Sequence, residues 1–306
     1  MKRSPLIPSG LAAASILLLS ACSTKAEPKP ADPPPVTSPF ATKEPDRTLA
    51  EAAIKKLHAA LKEKNPDYAD TGNADVTEDG EIIVLVLRDA KVADLSPLQG
   101  LKLRAIDLFN TPVSDISALK GMPLEGVYLE GTQVKDLSPL KGAPIRALYL
   151  SRTPVEDLTP LEGMPIASLN LLGTRVSDIR VLATLPLNTL WLNSTPVSDI
   201  APLAGCRRLV SLTLYGTHVT DLRPIADLAQ LQRLHIGNTN ITDLRPLQRM
   251  NLSRLIFTPS KITHGIDVVR EMPSIFQIDT KMDMEGNDRL MSPREFWQRY
   301  DNGEFK

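Results

Sequence analysis

The sequence predicts a solenoid of stacked repeats, with a parallel β-sheet on the concave side and short helical turns on the convex side. The first observation behind this is a pattern, L-x-x-L-x-L-x-x-T-x-V-x-D-L-x-P-L. It begins at Ile82 and recurs from Leu103, Leu124, Ile145, Ile166, Leu187, Leu209, Leu231 and Leu252. The second is the step, which is 21 residues apart from two steps of 22 after Leu187 and Leu209. The third is alternation inside each unit: positions four and six are apolar, as in Val127 and Leu129, while three, five and seven vary, as strand geometry requires of an inner and an outer face. This combination is the signature of a leucine-rich repeat solenoid, an α/β horseshoe-like body in which each turn of chain rests on the last.

Taken in chain order, five segments follow. Residues 1–21 have the make-up of an export signal: Lys2 and Arg3 form a positive start, and Leu11 to Leu19 form an apolar run too short to span a bilayer. Residues 22–46 are poor in large apolar groups. From Ser23 to Asp46 they contain seven prolines, including Pro33, Pro34 and Pro35, which favours an extended polyproline spacer reaching about 70 Å. Residues 47–81 hold an amphipathic helix. Thr48 and Glu51 make a capping box, Leu49, Ala53, Ile54, Leu57 and Leu61 recur at helical spacing, and Asn65-Pro66 ends it. This helix is expected to cover the first strand, since an open solenoid end exposes core and unpaired backbone.

Residues 82–274 are the repeats. Their apolar positions one, four, six, eleven, fourteen and seventeen should point inward. Threonine at position nine (Thr111, Thr132, Thr153, Thr174, Thr195, Thr217 and Thr239) is expected to bond the backbone of the adjacent turn. Aspartate at position thirteen, from Asp94 to Asp243, with proline three residues later in six units, predicts an N-cap for each short helical turn. Stacked carboxylates also suggest a calcium ladder, but one aspartate per turn supplies too few oxygens. Gly72-Asn73-Ala74-Asp75 and Asp283-Met284-Glu285-Gly286-Asn287-Asp288 lack the full spacing of calcium loops and are read as turns. Residues 275–306 form the closing cap: Ile275 to Ile278 as a last strand, then a helix capped by Ser292 and carrying Phe296, Trp297 and Tyr300 to seal the core.

Composition narrows the function. The formal charge of -1 gives no electrostatic reason for nucleic acid as a partner. Of the two cysteines, Cys206 falls at an inward position and is expected to be buried. His58, His218, His235 and His264 lack metal-ligand or triad spacing, no constellation of nucleophile, base and orienter assembles, and no cofactor is implied. The informative departure is on the outward strand positions. They hold five of the thirteen aromatics, namely Phe109, Tyr128, Tyr149, Trp191 and Tyr215, with Asn170 between Tyr149 and Trp191 in one column. Exposed aromatics in a row anchor protein or carbohydrate partners, although they also suit sheet surfaces for their own sake. Asp107 and Glu130 lie early on this face, while Arg233, His235 and Arg254 lie late. The candidate partner-binding residues are therefore Phe109, Tyr128, Tyr149, Asn170, Trp191, Tyr215 and His235.

Two resemblances add expectations. Leu19-Ser20-Ala21-Cys22 resembles the lipobox of bacterial lipoproteins, which implies cleavage before Cys22, acylation of Cys22 and anchoring in a lipid bilayer. With Ser23 rather than aspartate next, the family's sorting rule implies the outer membrane if the cell is Gram-negative. The repeat unit resembles the internalin-type class of bacterial leucine-rich repeats, with threonine where that class commonly has asparagine. Phe296-Trp297-Gln298-Arg299-Tyr300 is similar to the end of repeat tails on certain bacterial serine/threonine kinases, but no kinase motif is present. Together these imply a lipid-anchored envelope protein that binds an envelope or extracellular protein through its concave face. A glycan or peptidoglycan module and a structural spacer are the alternatives.

Overall fold

A computed structural model describes residues 47–280 and 290–305; residues 1–46, expected to hold an export signal, Cys22 and a proline-rich spacer, and Asp283 to Asp288, expected to form a turn, lie outside the described residues. One eleven-stranded sheet runs in sequence order through the molecule. Its strands are β1 (Asn73–Val76), β2 (Ile82–Val86), β3 (Ala105–Asp107), β4 (Gly126–Tyr128), β5 (Ala147–Tyr149), β6 (Ser168–Asn170), β7 (Thr189–Trp191), β8 (Ser211–Thr213), β9 (Arg233–His235), β10 (Arg254–Ile256) and β11 (Gln277–Asp279). From β2 onward every pairing is parallel and in register, one strand per repeat. The leucine-rich repeat solenoid expected from the 21-residue period is the fold observed.

Each repeat closes on itself by burying its leucine positions. In the unit starting at Ile145, that residue and Leu148, Leu150, Val155, Leu158 and Leu161 are all buried, and the same positions line one continuous core along the array. Cys206 sits in this core, 3.3 Å from the Leu182 carbonyl, and burial pushes its thiol up to about 11. On the convex side the chain returns through short 3₁₀ turns such as Ser96–Leu98, Ser138–Leu140 and Ala201–Gly205.

Three local devices differ from expectation. The threonine hydroxyls do not reach the adjacent turn. Thr111, Thr132 and Thr153 donate to the carbonyls of Leu108, Leu129 and Leu150 at 2.7–2.8 Å, three residues back in their own repeat, as do the other four. A hydroxyl three residues past a strand's last inward leucine folds back more easily than across a 4.8 Å strand gap. The aspartates sit one residue ahead of the N-cap. Asp136 Oδ1 accepts from the Ser138 amide at 2.8 Å, an Asx turn that launches the 3₁₀ segment, and its carboxyl is held below the usual range first by that amide bond and then by the Ser138 hydroxyl. Position eight, which looked unconstrained, is left-handed from the first repeat to the eighth. Asp89, Asn110, Arg152, Ser194 and Asn238 hold φ between 52° and 59°, and Gly131, Gly173 and Gly216 occupy the same point.

The N-terminal end is closed by two elements. Helix α1 (Arg47–Lys64) begins one residue before Thr48 and buries Leu57 and Leu61 against the first repeat. It does not cover the first strand's edge. That role belongs to β1, which pairs antiparallel with β2 and includes Asn73, Ala74 and Asp75, so that segment is a strand rather than a turn. Gly72 leads into it because a Cβ there would lie 2.6 Å from Leu87 Cδ2 and 2.7 Å from the Tyr68 hydroxyl. Asn65 does more than end the helix. Its amide donates to the Leu61 and Asp94 carbonyls, both at 2.9 Å, and its oxygen accepts from the amides of Ala93 (2.8 Å) and Asp94 (2.9 Å). At the far end the last strand is Gln277–Asp279, slightly later than expected. Helix α2 (Pro293–Asp301) is capped by Ser292 and buries Phe296 against Phe257, ring centroids 5.6 Å apart.

Candidate partner-binding surface

The concave face is built by register. Because the parallel strands are paired without a slip, Asp107, Tyr128, Tyr149, Asn170, Trp191, Thr213, His235, Ile256 and Asp279 form one column across the sheet. A second column, two residues further along each strand, carries Phe109, Glu130, Ser151, Leu172, Asn193, Tyr215 and Gly237.

The aromatic column is real, but its rings pack rather than stand apart. Tyr128 and Tyr149 lie 5.1 Å apart between centroids. Tyr149 and Trp191 lie 5.8 Å apart although a whole strand separates them, so the two rings close over Asn170. Asn170 turns its own oxygen back to accept the Leu172 amide at 3.0 Å. Exposure was expected for all of these side chains, and here the structure corrects the sequence. Tyr149 is 9% exposed and His235 only 5%, Phe109, Tyr128, Asn170 and Trp191 are half-buried, and Tyr215 at 37% is the most open. Neighbouring rings shield one another, as tilted aromatic pairs do. Burial comes first in raising the Tyr149 hydroxyl to about 12, followed by Tyr128 and Glu130.

Charge divides the face into two halves. At the N-terminal half, Asp107 is neutralised by Arg88 at 2.8 Å and also accepts the Phe109 amide, while the Arg88 guanidinium lies 4.3 Å over the Phe109 ring. Glu130 beside them is pushed up to about 7, chiefly by burial and then by Asp107, against a lowering pull from its own backbone amide, Arg88 and Arg152. At the C-terminal half the His235 ring packs at a tilt against Tyr215, centroids 5.2 Å apart, and burial alone lowers its imidazole to about 4, so it is neutral at pH 7. Gly237 makes room for it: a Cβ there would lie 2.9 Å from His235 Nε2.

One property of this face was not visible in the sequence. Seven buried side-chain polar atoms lack a partner among the described residues, and six of them are on outward strand positions: Glu130 Oε2, Asn193 Oδ1, Thr213 Oγ1, Arg233 Nε and both ring nitrogens of His235. Folded proteins leave few such groups, and here they gather on one surface. Asn193 and Thr213 thereby join the candidate site. Their only sequence trace was polarity at outward positions between Trp191 and His235.

Among the described residues, no group of three or more His, Cys, Asp or Glu side chains is placed to hold a metal ion, and no helix is long and apolar enough to cross a membrane.

No family model matches the chain, and no curated protein matches it. Solved structures do. An internalin (InlF) of Listeria monocytogenes superposes with a TM-score of 0.56 at 24% identity, covering 76% of this chain and 77% of that one. Internalin C2 of the same organism gives 0.55 at 26% identity, covering 66% and 92%. A leucine-rich repeat protein of Leptospira interrogans gives 0.53 at 20% identity, covering 63% and 53%. These likenesses show the fold, and they agree with the internalin-type resemblance of the repeat unit.

Proposed function

We propose that this chain is a lipid-anchored protein of the bacterial cell envelope whose leucine-rich repeats bind a protein partner on the concave face. The observation that carries the binding reading is the coincidence, on one surface, of the ring column Tyr128, Tyr149 and Trp191 with unpartnered buried polar atoms. Aromatic anchors supply contact area at little entropic cost, and polar groups without partners gain most from a ligand that satisfies them. Fold likeness to internalins supports a surface of this kind but names no ligand. The site consists of Phe109, Tyr128, Tyr149, Asn170, Trp191, Tyr215 and His235, with Asn193, Thr213 and Arg233 added.

The anchor rests on the Leu19-Ser20-Ala21-Cys22 sequence. Acylation at Cys22 places the folded part at the end of the proline-rich tether, at the outer membrane if the cell is Gram-negative. A Cys22→Ser change should release the protein from membranes and abolish labelling by radioactive palmitate; retention of both membrane association and label would refute the anchor.

The binding reading is tested by affinity capture from detergent-solubilised envelopes with the wild type and a Tyr128→Ala/Trp191→Ala variant. The co-purifying protein should be lost from the double variant while the unfolding midpoint stays close to wild type. Undiminished capture refutes the reading. A glycan ligand is the second reading, favoured by the same ring column, and would show as co-sedimentation with purified cell-wall sugar.

A further inference from the structure

The two halves of the concave face differ in what they lack. In the N-terminal half the acids are balanced or screened: Arg88 pairs with Asp107, and Arg152 lies near Glu130. In the C-terminal half the Arg233 side chain has no hydrogen-bond or ion-pair partner among the described residues, and its Nε is buried. It sits on the strand that also presents His235, next to the strand carrying Thr213. Arg254 is directly beside it on β10, held by the Gln277 side-chain oxygen at 2.7 Å. Only the Nε of this half-buried side chain is enclosed, and a guanidinium without a counter-ion offers a fork suited to a carboxylate.

The unpartnered set also contains more than donors. Arg233 Nε can only donate, Asn193 Oδ1 only accepts, and the Glu130 carboxyl, Thr213 Oγ1 and the neutral His235 ring can do either. A simple anion can accept from the donors of this set but leaves Asn193 Oδ1 without one. A peptide backbone supplies donors and acceptors alternately along its length, and an acidic side chain supplies the carboxylate.

We infer that the occupant is an extended, acidic segment of a partner protein, laid across the strands with apolar residues over Tyr128, Tyr149 and Trp191 and a carboxylate on Arg233. This rests on the concave-face reading given above and specifies the ligand class. The column from Tyr128 on β4 to His235 on β9 crosses five strand spacings, about 24 Å. An extended chain covers that distance in about seven residues. Trp191 and His235 are two spacings apart, so the apolar anchor and the acid should be separated by about three residues.

The test uses the full-length chain in detergent and fluorescein-labelled octapeptides. One set combines Leu and Phe with Asp or Glu three residues away; matched sets carry Gln or Lys in place of the acid. Anisotropy should show the acidic set binding about tenfold more tightly than the Gln set, with the Lys set weakest and the preference falling as salt rises. Arg233→Gln should erase the difference between acidic and Gln peptides, and Arg233→Lys should restore part of it, which a purely structural role for Arg233 would not do. Equal binding of the three sets, or a preference that survives Arg233→Gln, overturns the inference. So does displacement of all three sets alike by purified cell-wall sugar, or self-association of the chain that is lost in Arg233→Gln. If no octapeptide binds while envelope capture still depends on Tyr128 and Trp191, this inference fails alone; if capture is also independent of them, the concave-face reading fails with it.

Discussion

Replacing Asn65 by alanine is expected to loosen the N-terminal cap without touching the repeat core. Four hydrogen bonds run through this one side chain, two donated to the Leu61 and Asp94 carbonyls and two accepted from the Ala93 and Asp94 amides, all at 2.8–2.9 Å. A net contribution of about 1 kcal/mol for each gives about 4 kcal/mol. The Leu61 carbonyl keeps the Asn65 backbone amide at 2.8 Å, so its loss is partial and the total falls to about 3 kcal/mol. For a folded body of this size that lowers the thermal midpoint by about 6–12 °C if the array unfolds as a unit. Repeat arrays also open from their ends, so the sharper readout is native-state hydrogen exchange. Amides of Ala93, Asp94 and α1 should exchange faster in Asn65→Ala, while those of β8 to β10 stay close to wild type. A midpoint equal to wild type, or acceleration spread evenly along the array, would show that Asn65 does not join helix to solenoid.

Ser194 holds φ of 55° at the left-handed point of its repeat, so Ser194→Gly should stabilise by about 0.5–1 kcal/mol in urea unfolding; destabilisation would refute the strain at that position. Leu150 is fully buried in the middle of the stack, and Leu150→Asp should abolish cooperative unfolding, seen as loss of the circular-dichroism transition. Glu130 keeps its proton in the folded state up to about 7 but loses it near 4.5 when unfolded, so its contribution to stability falls as pH rises through that window. Glu130→Gln should flatten this slope by about 1–3 kcal/mol in urea melts taken from pH 4.5 to 7.5, and an unchanged slope would count against burial of the carboxyl. His235 works in the opposite sense: its lowered pKa contributes stability above 6.5 that is lost as pH falls toward about 4, so His235→Gln should blunt acid destabilisation in the same melts.

The fold was legible because a single energetic rule, burial of leucine at fixed positions, repeats nine times and drowns local ambiguity. What escaped was set by geometry that the residue pattern does not encode. Position eight held Asp, Asn, Gly, Arg and Ser, and only the first three favour a left-handed backbone; Arg152 and Ser194 masked the constraint. The strand Asn73–Val76 is short and contains two polar residues, so the turn chemistry of Gly72 and Asn73 outweighed it until β2 offered an edge to pair. The column of Tyr128, Tyr149, Asn170 and Trp191 followed from the period alone. That Tyr149 and Trp191 close over Asn170 did not, since ring tilt depends on the space a small neighbour leaves. Nor does a sequence reveal a missing partner: Asn193, Thr213 and Arg233 look like ordinary polar sheet residues until their hydrogen bonds are sought.

The concave face can be challenged directly in living cells by placing a photo-crosslinking amino acid at Asn170 or Tyr215, and, as convex controls, at Lys141 or Glu162, which are exposed on the turns behind the sheet. Irradiation should yield a discrete protein adduct from positions 170 and 215 and none from 141 and 162. Adducts from the convex positions with none from the concave pair would place the partner on the wrong side of the solenoid and contradict the account.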